Sequence, residues 1–75
     1  MDYQMYCRLV EEASELAYKL YKLNDFIESD AFKKLKEIEK NLLMDQCDCM
    51  YTYLKTLHNR IRYYASQKER WCNNG

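Results

Sequence analysis

The chain has 75 residues, a formal net charge of +0, no proline and one glycine, Gly75. It lacks the turn residues that sheets and loop-rich disulfide scaffolds need, while its Leu, Lys, Glu, Met and Ala suit long unbroken helices. The charge balance excludes a strongly basic surface for general nucleic-acid binding, and no apolar run approaches the ~18 residues of a membrane span.

So short a chain makes one domain at most, and buries only about 60% of its unfolded surface, so a monomer is marginal without a partner. The charge is unevenly spread. Residues 1–32 carry seven acids and three bases, and residues 33–75 carry five acids and nine bases. Either the two halves pack antiparallel on this asymmetry, or the charges are ordinary solvated faces.

In the first half, Tyr6, Leu9, Ala13, Leu16, Leu20, Leu23 and Ile27 recur at steps of three and four, with Glu11, Glu12, Glu15, Lys19 and Lys22 off the line. This apolar heptad seam predicts a helix over about residues 2–27. Asn24, Asp25, Glu28, Ser29 and Asp30 then form a dense polar run, a break in which Ser29 or Asp30 caps a new helix. Phe26, Ile27 and Phe32 flank it and plug the end of a hairpin. Residues 31–36 are either a short helical turn or the start of the next helix, within a connection of about 28–36.

A second helix is predicted over about residues 37–70. Leu43, Cys47, Met50, Leu54, Leu57, Ile61 and Tyr64 alternate by four and three, with Trp71 following after a gap at Lys68. Ile38, Leu42 and Cys49 widen the stripe. This helix outlasts its partner by one or two turns, leaving Tyr63, Tyr64 and Trp71 beyond the hairpin's reach as an interface for self-association. Residues 72–75 fray. The expected fold is all-α: an antiparallel helical hairpin that forms a homo-oligomer through helix packing, as a single domain over 1–75.

Four cysteines, Cys7, Cys47, Cys49 and Cys72, are an even number in a short chain, but the polar N-terminus is no signal peptide and Cys47 and Cys49 point to nearly opposite helix faces. A reduced, cytoplasmic setting is the expectation. His58 has Leu54, Lys55, Ile61 and Arg62 on its face, none of them a ligand, so no metal site is expected. No phosphate loop, elbow serine or metal-binding helix motif occurs, no cofactor is implied, and the carboxylate pairs sit on solvated surfaces. The chain reads as non-catalytic.

The informative polar feature is a line on the second helix. Gln46, Tyr53 and Arg60 are spaced by seven and project from one face, with Thr56 alongside. Arg60 can hold a phosphate or carboxylate, Tyr53 can stack on a ring, and Gln46 can hydrogen-bond its edge. The same groups can instead hydrogen-bond across a helix interface and fix its register. Tyr51, His58, Arg62 and Tyr63 surround them, either a stacking surface or amphipathic rims to the core.

The stretch Leu23-Asn24-Asp25-Phe26-Ile27-Glu28-Ser29, with Phe32, Leu35, Leu42-Leu43, Gln46, Met50, Tyr53, Leu57 and Arg60-Ile61, resembles a family of very small proteins of tailed bacteriophages, including crAss-like phages. The resemblance spans about residues 9–61, and Gln46, Tyr53 and Arg60 match its polar positions. Cys47-Asp48-Cys49 and the aromatic tail after Ile61 lie outside it. It implies a viral accessory protein in the cytoplasm of an infected bacterial host. A looser, architectural likeness is to phage helical-hairpin proteins that trap cyclic nucleotide signals, without their glycine-tyrosine-arginine and tryptophan motifs. The function these likenesses imply is that of a binder countering host defence, with a nucleotide second messenger held between subunits. The alternatives are a module that docks on a host defence protein or another phage protein, or a minor structural protein.

Overall fold

A computed structural model describes residues 3–67 of the chain. These form helix α1 (Tyr3–Ile27), a short helix α2 (Asp30–Lys33) and helix α3 (Glu37–Ala65). The long helices fold back on each other, and the particle measures 56 × 14 × 13 Å. An α3 of 29 residues is about 44 Å long at 1.5 Å per residue, so two packed rods account for the shape.

The heptad lines explain the pairing. Leu9, Ala13 and Leu20 of α1 are buried, and Leu57 of α3 is 0% exposed. Leu16, Leu54, Ile61 and Tyr64 pack around the Leu9–Ala13–Leu57 cluster. Ala13 is the small residue that lets α3 come close enough to seat Leu57, by the general rule that large and small side chains interdigitate between helices. Burying such a leucine stabilises the fold by about 1.5–3 kcal/mol. Among the described residues no charged or polar side chain is buried, and no ion pair joins α1 to α3; the salt bridge there is Lys33–Asp30, at 3.7 Å and largely exposed. The opposite charges of the two halves are therefore solvated.

The connection resolves as a separate turn of helix. Ser29 caps α2, its Oγ accepting from the Phe32 N–H at 3.3 Å and donating to the Phe26 carbonyl at 2.5 Å. Phe26 and Phe32 meet edge to face with centroids 6.3 Å apart, and the Lys40 ammonium lies 6.0 Å over the Phe32 ring. This closes the hairpin end. Just inside it, the Cys47 thiol donates to the Asn24 side-chain carbonyl at 3.0 Å and ties α3 to α1.

Among the described residues α3 runs to Ala65, and the expected end near Arg70 lies outside them. At the C-cap the Ser66 N–H makes the last helical bond, to the Arg62 carbonyl at 3.1 Å, and its hydroxyl donates to the Tyr63 carbonyl at 2.6 Å. Tyr64 is not beyond the hairpin's reach, because α3 exceeds α1 by only about one turn. Tyr64 is partly buried against the core. The widened stripe stays outside: Ile38 is 62% and Leu42 61% exposed.

Candidate functional site

Gln46, Tyr53, Thr56 and Arg60 are all exposed on α3, as their spacing requires. Their surroundings differ. The Tyr53 hydroxyl donates a hydrogen bond to the Glu12 carboxylate on α1, so one member of the line does bridge the hairpin. Thr56 returns its hydroxyl to the Thr52 carbonyl at 3.2 Å, an internal helix bond that leaves its oxygen lone pairs outward. Gln46 leans on the Met50 sulfur at 3.8 Å. Arg60 makes no hydrogen bond or ion pair among the described residues, yet its charge reaches Tyr53 and works to lower that phenol's pKa. The net shift of Tyr53 is upward, caused first by the hydrogen bond to Glu12, then by burial and by the Glu12 charge.

Distance along the helix divides the line in two. A step of seven residues is about 10 Å of rise, so Gln46 and Arg60 stand about 21 Å apart. One small ligand does not reach both. Tyr53, Thr56 and Arg60 fall within about 10 Å and form a compact group with Glu12 opposite. Gln46 belongs to the neighbouring stretch of surface toward the turn.

Within the compact group the chemistry is graded. Arg60 offers a planar fork of donors for an anion. The Tyr53 ring, 45% exposed, offers a face for stacking. Glu12 repels an anion and accepts from N–H or O–H donors. The arrangement can therefore take an anionic group at the Arg60 end and a hydrogen-bond donor at the Glu12 end. Sequence reading did not single out Glu12. The signal was there in the register: Glu12 precedes the core residue Ala13, Tyr53 precedes the core residue Leu54, and antiparallel packing places such neighbours on the same side of the hairpin.

The Sequestin family model matches residues 1–63, most of the chain. The chain belongs to the Sequestin family. No curated protein matches it, and no solved structure does. The Sequestin match takes in Glu12, Gln46, Tyr53, Thr56 and Arg60, and it ends at Tyr63. Of the three residues expected at an interface, Tyr63 is exposed and meets Tyr64 edge to face at 5.2 Å, Tyr64 packs on the core, and Trp71 lies outside the described residues.

Cys7, Cys47 and Cys49 are free thiols; Cys72 lies outside the described residues. Among the described residues no helix is long and apolar enough to cross a membrane.

Proposed function

We propose that this Sequestin-family protein is a non-catalytic binder that sequesters a nucleotide signal on the Tyr53–Arg60 face of a self-associating helical hairpin. The observation that carries the reading is Arg60. Its guanidinium is exposed and takes part in no hydrogen bond or ion pair among the described residues, beside an exposed tyrosine ring and a carboxylate fixed on the facing helix. A structural register device would spend the arginine on its partner helix. Here Tyr53 alone makes the cross-helix bond. The family's name, Sequestin, denotes holding a ligand rather than converting it. The phage likeness of residues 9–61 supports a role against host defence in the cytoplasm of an infected bacterium.

A hairpin face is shallow, so full enclosure of a nucleotide draws on an adjacent copy. Thermal denaturation with cyclic dinucleotides, cyclic trinucleotides and ADP-ribose derivatives tests the reading. A ligand present at about 100 times its Kd adds about 2.7 kcal/mol of stability, which raises the midpoint by several degrees. Arg60→Ala removes the shift while leaving the unliganded midpoint in place. No shift with any of these ligands at about 100 µM sinks the nucleotide reading.

The exposed Ile38, Leu42 and Tyr63 favour one second reading, a module docking on a host defence protein. In that case Ile38→Glu with Leu42→Glu abolishes inhibition of the purified target, whereas Arg60→Ala does not.

A further inference from the structure

The open end of the hairpin, where α1 begins and α3 ends, is unevenly charged. Among the described residues α1 carries no acid before Glu11, and α3 carries none after Asp48. Arg8, Lys55, Arg60 and Arg62 fall in the same stretches. Two of these cations share a flank. Arg8 lies one turn before Glu12 on α1, and Arg60 lies two turns after Tyr53 on α3, so each projects from the same side of its helix as that neighbour. The hydrogen bond between Tyr53 and Glu12 fixes which residues stand level across this flank.

Measured from that bond, Arg8 is four residues, about 6 Å, toward the open end on α1. Arg60 is seven residues, about 10 Å, toward it on α3. Their backbones are thus level to within about 5 Å, on helices whose axes pack about 8–10 Å apart. Side chains on a helix lean toward its own N-terminus. In this antiparallel pair Arg8 leans toward the open end and Arg60 leans back from it, so the two guanidiniums converge. The action of the Arg60 charge on the Tyr53 phenol fits that lean.

Both arginines are exposed, and neither makes an ion pair or hydrogen bond among the described residues. Glu12 occupies the i,i+4 position that would pair with Arg8, but its carboxylate is bonded to Tyr53. Arg60 has no acid three or four residues away in either direction. Two like charges therefore converge with no carboxylate between them, a repulsion that a bound anion relieves.

We propose that Arg8 is the second half of the anion site at Arg60, and that the ligand carries two phosphate groups, as a diphosphate or as two phosphodiesters in one ring. A single guanidinium fork suffices for one phosphate, so a lone phosphate leaves the second arginine unused. Glu12 bounds the site on the side of the turn and keeps both phosphates at the open end. The inference rests on the reading that Arg60 captures a nucleotide, and adds the charge of what is captured.

Calorimetric titration of the full chain with inorganic pyrophosphate and with inorganic phosphate, at low salt, tests it. Pyrophosphate binds at least about tenfold more tightly than phosphate, and Arg8→Ala and Arg60→Ala each weaken it by at least about tenfold. Arg8→Lys recovers part of the loss. Lys40→Ala, which removes an equal charge about 30 Å away along α3, changes nothing. ADP-ribose and a cyclic dinucleotide then tell a diphosphate from two phosphodiesters, the tighter binder being the one that Arg8→Ala weakens. Pyrophosphate bound no more tightly than phosphate overturns the proposal, and this comparison needs no variant should Arg8→Ala fail to fold. Equal weakening by Lys40→Ala overturns it too. So does an Arg8→Ala protein with unchanged affinity for pyrophosphate; nucleotide capture that still depends on Arg60 then survives without it. Conversely, pyrophosphate held through both arginines while no nucleotide binds refutes the nucleotide reading and leaves the arginine pair.

Discussion

Tyr53 and Glu12 lie 41 positions apart in the sequence and are joined by a hydrogen bond across the hairpin. The bond holds a phenol on α3 against a carboxylate on α1 and raises the Tyr53 pKa above its ordinary value of 10.0. Because the folded-state pKa lies above the unfolded one, the protonated phenol's contribution to stability is fully present below about pH 10 and is lost as pH rises through the folded value. Tyr53→Phe is expected to lower the melting temperature slightly at neutral pH, and the gap to wild type to close under strongly alkaline conditions. In ultraviolet tyrosinate titrations, Glu12→Ala moves one late-titrating tyrosine toward the ordinary range. A titration curve unchanged by Glu12→Ala contradicts the bond.

Leu57 anchors the hairpin. It is the one described side chain at 0% exposure, and Leu57→Ala should cost about 2–5 kcal/mol. In a domain this small each kcal/mol lowers the melting temperature by about 4–8 °C. Circular dichroism melts should show Leu57→Ala largely unfolded at ambient temperature, and Ile38→Ala near wild type.

Ser29 fixes the connection between the long helices through its bonds to Phe26 and Phe32. Ser29→Ala should destabilise by about 0.5–2 kcal/mol, and Ser29→Asp should recover most of the loss, since aspartate caps equally well. Equal midpoints for wild type and Ser29→Ala in urea would show that the cap is dispensable.

Periodicity made most of this fold readable, because two helices that bury one face each leave a 3.5-residue pattern in the chain. Leu9, Ala13, Leu20 and Leu57 were all on the expected lines. The end of α3 was less readable, since the apolar pattern of the sequence continues past the Ser66 cap toward Trp71. At the site, spacing alone grouped Gln46 with Tyr53 and Arg60. Only the distance along the helix separates Gln46 from the others, and only the pairing of α1 with α3 supplies Glu12. A pattern within one helix has no information about which residue stands opposite until the register between helices is known.

The proposed function makes Arg60 central to ligand capture. Arg60→Ala should leave the melt of the free protein within about 0.5 kcal/mol of wild type, as for a surface substitution without a partner. Arg60→Lys should keep part of the affinity, because an ammonium supplies charge without the planar fork. Calorimetric titration of the three proteins ranks them. Substantial destabilisation of free Arg60→Ala would mean that the arginine serves the fold.

The most direct measurement tracks a nucleotide signal through capture and release. Protein in excess is mixed with the nucleotide, the unbound fraction is separated by ultrafiltration and assayed by chromatography, and the retained protein is then heat-denatured. Sequestration predicts that the nucleotide disappears from the filtrate, reappears chemically intact after denaturation, and is not depleted by Arg60→Ala. A filtrate that keeps its nucleotide, or a released species that has been cleaved, would contradict it.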